Sequence, residues 1–145
     1  MLISHNGDYH WKNTPTLVYK EDSSPFKNIT RQILVDGVPD LQCQLRYFEV
    51  APGGYSTLEH HKHVHLVVII RGEGAVLIGD QVHHVHENDV LVIPSMAWHQ
   101  LRATLDTTPL GFLCLVNVER DHPILPTEQD LTVLRQNPDI ADFIR

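Results

Sequence analysis

This sequence predicts an all-β fold of the sandwich or jelly-roll kind, closed by a short helical tail. First, about eight short apolar or alternating runs are separated by turn-forming clusters every 8 to 12 residues or so, the spacing of small antiparallel folds. Second, Leu66 to Ile70 and Val90 to Ile93 are uninterrupted runs of branched and aliphatic residues, as in strands buried on both faces. Third, the period changes only near the end, where Leu131 and Leu134 stand at helical spacing.

The 145 residues suit a single domain, here divided into an arm (1–27), a β-barrel (28–118) and a helical tail (119–145). A chain of this size buries roughly two thirds of its unfolded surface and needs no disulfide staple. Its two cysteines, Cys43 and Cys114, lie in apolar surroundings, and Met1 to Asn13 is polar with no basic segment leading into an apolar core, so a reduced cytoplasmic protein is expected. The net charge of -7 disfavours nucleic acid, and no apolar run reaches the ~18 residues of a membrane span. The distinctive feature is 11 histidines, four of them between residues 60 and 65.

In order along the chain, Met1 to Lys27 carries Pro15, Pro25 and little periodicity. It reads as an arm for packing or dimer contact, with one short strand around Leu17 to Tyr19. Ile29 to Val35 and Leu41 to Val50 flank Asp36-Gly37-Val38-Pro39-Asp40, a hairpin pattern. Pro52-Gly53-Gly54 breaks the chain before an extended stretch that holds Glu59 and His61. After Leu66 to Ile70, Arg71-Gly72-Glu73-Gly74 turns into Ala75 to Ile78, and Gly79-Asp80 is a two-residue loop into Gln81 to His86. Glu87-Asn88-Asp89 precedes Val90 to Ile93, which Pro94 ends. Trp98 to Ala103 and Leu110 to Val116 complete the strands. In the tail, Thr127 and Asp130 form a capping-box pattern for a helix over 128 to 136, and Asn137-Pro138 opens a second helix whose Ile140, Phe143 and Ile144 should dock on the β core.

Residues two apart on an extended chain share a face, so Glu59 and His61 project together. A reversal at Lys62 to Val64 then brings His65, at the start of the next strand, towards the same point. One carboxylate and two imidazoles are thereby gathered within metal-bonding reach, and a fourth ligand must come from elsewhere. His60 points to the other face and His63 lies in the turn, so both read as flanking residues. His84 and His86, with His83 beside them, have an i, i+2 spacing but no further ligand in view. Arg46 and Glu49 occupy opposite faces of the neighbouring strand, and whichever faces inward is placed to orient an anionic or hydroxylated substrate. Cys114 either lines the same cavity or is an inert core thiol. Trp98 should face away from the site and pack.

These residues carry a resemblance to the cupins. The cupin first motif is a glycine, five residues, His-x-His, three or four residues, Glu, six residues and Gly, and the stretch from Gly53 or Gly54 to Gly72 resembles it. Val90 to Pro94, continued by Trp98-His99-Gln100, is similar to the later half of the second motif. The resemblance is to a small single-domain cupin of the conserved-barrel type over about residues 41 to 118, and it implies a double-stranded β-helix. Carried over by position, the first histidine of the motif falls on Glu59, the second on His61, the glutamate on His65 and the last histidine on His99. Three imidazoles and a carboxylate remain, with the order exchanged. Asn88 stands near the usual turn glycine, and Met96 or Ala97 where many members have another.

The implied cofactor is one divalent transition metal held by Glu59, His61, His65 and His99. Nitrogen and carboxylate donors suit Fe, Mn, Ni, Co or Zn alike. The resemblance implies a metalloenzyme of dioxygenase type acting on a small oxygen-rich molecule, with Glu59 as general base and Arg46 and Cys114 in the substrate pocket. Isomerase or decarboxylase chemistry, or a non-catalytic sensor or storage protein, are the alternatives. The expected partners are a small-molecule ligand and a second copy of the chain, since the edge strands of a jelly roll need cover.

Overall fold

The computed structural model describes residues 1–18 and 27–145. Its strands are β1 (His5–Gly7), β2 (His10–Trp11), β3 (Leu17–Val18), β4 (Lys27–Val38), β5 (Leu41–Tyr55), β6 (His65–Arg71), β7 (Gly74–Ile78), β8 (Gln81–Val85), β9 (Val90–Ile93), β10 (His99–Ala103) and β11 (Leu110–Asn117), followed by helices α1 (Glu128–Leu134) and α2 (Pro138–Phe143). Apart from the β1–β2 hairpin, the strands form one antiparallel sheet in the order β8-β7-β10-β5-β11-β6-β9, with β4 also on β5 and β3 on β4. This sheet curls on itself into the double-stranded β-helix expected of a jelly roll. The expected strand at Leu17 extends to Val18, and Tyr19 lies outside the described residues.

The strand that organises the barrel is β5. It pairs with β4 on one side and β11 on the other, and its end reaches β10 through Tyr55 and Arg102. The expected break at Pro52-Gly53-Gly54 is a bend inside this strand, where Gly53 takes φ +72°, and pairing continues to Tyr55. Alternation turns Arg46, Phe48 and Val50 inwards, while Tyr47 and Glu49 point out. The next residues, which carry Glu59 and His61, do not form the regular strand the sequence suggests. The Ser56 hydroxyl accepts the Leu101 N–H and the Gln100 side-chain amide donates to the Ser56 carbonyl, so side chains interrupt the ladder. Backbone pairing resumes only as isolated bridges, Glu59 with His99 and His60 with Ile124.

The main core fills the curl with Phe48, Val50, Val67, Ile69, Ile93, Leu110 and Phe112. A second cluster joins Leu58, Ala75 and Leu77 to Leu134, Ile140, Phe143 and Ile144 of the tail. Each large side chain buried there contributes about 1.5–3 kcal/mol, an upper estimate, so the short helices are held by docking and not by propensity. The capping box at Thr127 and Asp130 forms, and Asn137 caps α2 with Pro138 in its first turn. The first helix is two residues shorter than the pattern suggests, since the Arg135 N–H already closes on Leu131 and Val133. Trp98 packs against the second cluster, away from the site, as expected from alternation.

The arm covers the outside of the barrel. Tyr9 stacks on Tyr47 with ring centres 5.9 Å apart, Trp11 approaches it at 5.1 Å, and the Arg71 guanidinium lies 4.6 Å over Tyr9. The Tyr47 hydroxyl donates to Glu49, which also receives Arg71. Burial and this neighbouring carboxylate push the Tyr47 phenol well above its ordinary range. Glu49 therefore belongs to the outer face, and Arg46 is the member of that pair that enters the barrel.

Candidate metal centre

Three imidazoles meet at the barrel mouth. His61 comes from the bridge segment, His65 opens β6 opposite Ile93, and His99 opens β10 opposite Ile78. Their ligand nitrogens all lie within 4.8 Å of one another. His61 Nδ1 donates to the His63 carbonyl at 2.8 Å and His99 Nδ1 to the Ala97 carbonyl at 3.0 Å. A carbonyl only accepts, so each Nδ1 carries the proton and each Nε2 offers its lone pair to the centre. His65 has a partner on either side: Nε2 is 2.9 Å from His61 Nε2 and Nδ1 is 3.0 Å from Cys114 Sγ. Since His61 Nε2 offers a lone pair, His65 Nε2–H donates to it, and an ion held at His65 Nε2 would instead require the proton on Nδ1, facing the Cys114 sulfur.

The donor set fits a divalent ion. Nitrogens bound at about 2.1 Å and a right angle apart sit about 3.0 Å from each other, close to the His61–His65 separation. Burial, followed by the neighbouring imidazoles His99 and His63, lowers the His61 pKa to about 4, and burial with His99, His61 and Arg46 lowers that of His65 to about 2. Burial also lowers His99 to about 4, against the pull of the Ala97 carbonyl. All three are therefore neutral near pH 7, as metal ligation requires. Glu59 stands at the edge of this group, 8% exposed, with Oε1 4.0 Å from His99 Nε2.

The loop between His61 and His65 is pinned from a distance. Asp121 accepts from the Lys62 N–H at 2.7 Å, the His63 N–H at 3.0 Å and His63 Nδ1 at 2.8 Å, and these bonds, led by Lys62, hold its carboxyl well below the usual range. His63 stacks on His61 at 3.5 Å between ring centres, and His60, on the opposite face, meets Trp98 edge-on at 4.1 Å. His83, His84 and His86 lie on or just after β8, and His86 is paired with Asp89.

Two connected spaces adjoin the cluster. The inner one, about 60 Å³, is walled by Phe48, Val67, Ile93, Leu101, Phe112 and Cys114, with Thr57 and Glu59 at its polar end. Thr57 is buried and its hydroxyl has no hydrogen-bond partner among the described residues, so it is available to a ligand oxygen. Arg46 Nη2 donates to Cys114 Sγ at 3.2 Å, and burial keeps this thiol's pKa above its ordinary value although Arg46 opposes the shift. The outer space, about 570 Å³, opens past His63 and His65 between Arg31, Arg46 and Arg120. Arg46 and Cys114, both singled out in the sequence, thus line the pocket. Thr57, Arg31, Arg120 and Asp121 escaped notice because no local spacing marks them.

The three imidazoles at the mouth of this β-helix form a cluster suited to a metal ion. The chain belongs to the cupin family: the cupin domain pattern matches residues 46–116, and the relatives agree. It is 50% identical over 137 residues to the 1-methylthio-D-xylulose 5-phosphate methylsulfurylase of Rhodospirillum rubrum, covering 94% of this chain and 86% of that one. The crystal structure of a cupin 2 conserved barrel domain protein from Rhodopseudomonas palustris superposes with a TM-score of 0.93 at 46% identity, covering 100% of this chain and 99% of the other. A cupin-2 domain structure from Rhodospirillum rubrum gives 0.87 at 48% identity, over 98% of this chain and 93% of that one.

Proposed function

We propose that the chain is a metal-dependent enzyme acting on a small oxygen-rich molecule, specifically one that removes the methylthio group of a 1-methylthio ketose phosphate. The polarity of the pocket carries this reading. An apolar dead end, a cluster of ligand nitrogens and a basic mouth follow one another in the order that a thioether, a carbonyl and a phosphate follow along such a substrate. The name of the Rhodospirillum rubrum relative supports the same class.

His61, His65 and His99 would hold the metal, with Glu59 as the fourth donor. A divalent ion bound there supplies Lewis-acid polarisation of the ketone. Thr57 would orient a hydroxyl, and Phe48 and Phe112 would take the methylthio group, as sulfur favours aromatic edges. Breaking the carbon–sulfur bond with its electron pair left on carbon gives an enolate. The methylthio sulfur bonds to the sulfur of Cys114 as the carbon–sulfur bond breaks, and Glu59 takes up the proton that the thiol loses. The enolate carbon takes up a proton from Glu59, a methyl ketone leaves, and a small-molecule thiol frees Cys114 by disulfide exchange.

The test is to incubate metal-loaded protein with 1-methylthioxylulose 5-phosphate and a small thiol and to follow the deoxyketose by NMR. Product formation, with a protein mass gain of one methylthio group when the thiol is omitted, supports the reading. Oxygen uptake with ring or carbon cleavage would favour the dioxygenase class that the family resemblance implies. Binding without turnover would favour a sensor.

We further infer a homodimer in a reducing cytoplasm. Both cysteines are unbridged, and no helix among the described residues is long and apolar enough to cross a membrane. Strand β9 lies at the sheet edge with Val90 and Val92 exposed, and Leu66 pairs beside Val92, so an apolar strip is open to a second copy.

A further inference from the structure

We propose that His63 and Asp121, with His61 as a shared third ligand, form a second and weaker site for a divalent ion such as zinc on the outer side of the cluster. The site does not depend on the reaction proposed above.

Among the described residues, two groups of histidines and carboxylates bring three ligand atoms within 4.8 Å of one another: His61, His65 and His99, and His61, His63 and Asp121. The second group uses two residues that the central one leaves aside. His63 comes from the loop ahead of β6 and Asp121 from the segment after β11. His63 Nδ1 lies 2.8 Å from Asp121 Oδ1, close to the ~3.0 Å that separates two donors at a right angle on an ion about 2.1 Å away. Two imidazoles and a carboxylate suit zinc and its first-row neighbours.

An ion here takes the place of one proton. The His63 Nδ1–H now joins the ring to Asp121, and its loss leaves a nitrogen lone pair and a carboxylate facing the same point. Two carboxylate oxygens offer about four acceptor positions, so Asp121 keeps the Lys62 N–H at 2.7 Å and the His63 N–H at 3.0 Å. The loop stays clamped while the ion is bound. The His63 side chain is 8% exposed and that of Asp121 31%, and both wall the outer space, so an ion reaches the pair from solvent. Arg31, Arg46 and Arg120 stand on the same walls, so the ligands hold the ion and not the field of the mouth.

Two features make this the weaker site. His61 is stacked on His63 with the ring planes 4° apart, and an ion lies best in the plane of each imidazole that binds it, so His61 must tilt to join. An ion already at the central cluster, which also uses His61, repels a second one nearby.

The experiment is zinc titration of chelator-stripped protein, read by calorimetry and by counting bound zinc at equilibrium with free ion. The wild type should take two ions per chain, the second at least about tenfold more weakly than the first. His63→Asn replaces the imidazole with an amide whose N–H can still donate to Asp121. It should lose the weaker zinc and keep the first at unchanged affinity. His99→Ala removes a ligand of the central group alone, and should keep one weak zinc while free ion is present, although dialysis strips it. A single zinc in the saturated wild type, or no zinc on His99→Ala, would overturn the proposal. So would a second zinc that His63→Asn retains, since surface histidines such as His84 and His86 would then be its ligands. Loss of both ions from His63→Asn with unchanged circular dichroism would assign His63 to the central site and overturn the proposal likewise.

Discussion

Glu59 and His99 exchange both backbone hydrogen bonds, Glu59 N–H to His99 O at 3.2 Å and His99 N–H to Glu59 O at 2.9 Å, while their side chains approach to 4.0 Å. The pair is thus directly opposed across β10 and the irregular segment that follows β5, with both side chains on the pocket face. The carboxylate is placed by main chain and not by the ion it would serve, so affinity and proton transfer at Glu59 are separable.

Glu59→Gln keeps the size and an oxygen donor but removes the basicity. The variant should retain much of its metal and lose about 10² to 10⁴ in turnover. Full activity on an identified substrate, measured beside metal content, would remove the base role.

His61→Ala and His99→Ala should each abolish stoichiometric metal, since each removes one of three converging nitrogens. Metal analysis after dialysis checks this, with circular dichroism showing that the barrel persists. Wild-type metal content in His61→Ala would overturn the ligand set.

Metal-free protein should lose stability as the pH falls. The folded-state values of about 4 for His61 and His99 and about 2 for His65 lie below the unfolded value of about 6.5. The unfolded chain therefore binds more protons in this window, and the fold's advantage, complete above pH ~6.5, shrinks as the pH approaches 4. Each imidazole contributes at most about 1.4 kcal/mol per pH unit. Thermal melts in chelator from pH 7 to 4 should show a falling Tm that added metal restores, and a flat profile would contradict the buried neutral cluster.

Light scattering at micromolar concentration should report a dimer, and Val92→Lys on the exposed edge strand should yield a monomer with unchanged secondary structure. A wild-type monomer would reject the pairing.

Met96 has φ +63° and Asn88 φ +75°, conformations that favour glycine. Met96 is also 47% exposed, so Met96→Gly gives up little packing. It should raise stability by up to about 1 kcal/mol, read as a higher denaturation midpoint. These are the two places where the sequence departs from the family's glycines, and the backbone there keeps the glycine geometry.

Much of the barrel was legible because alternation and turn chemistry act locally: the Gly79-Asp80 loop, the Thr127 capping box and the buried β6 run stand where their patterns put them. The site was legible where ligands cluster in sequence, as His61 and His65 do, and His99 followed from family resemblance. Arg120 and Asp121 were not, because they reach the pocket through a fold in which β11 crosses beside β5 and β6. The bend inside β5 looks like a break in the sequence, since glycine and proline announce a change of direction but not whether pairing survives it.

The Asp121 clamp on the Lys62–His63 loop bears on how an ion would enter this site. Three hydrogen bonds from a residue nearly sixty positions away set the spacing of His61 and His65 before any metal arrives. His61, His65 and His99 belong to neither apolar core cluster, so the packing of the barrel is separate from the site, unlike a zinc finger, and an ion would load into a formed mouth. A mouth that is ready and open binds whichever suitable cation is offered, and nitrogen-rich donors rank the first-row divalent ions in an order the chain does little to change. The metal held there would then be chosen by supply in the cell, and a preparation made in another host would fold alike and carry a different ion.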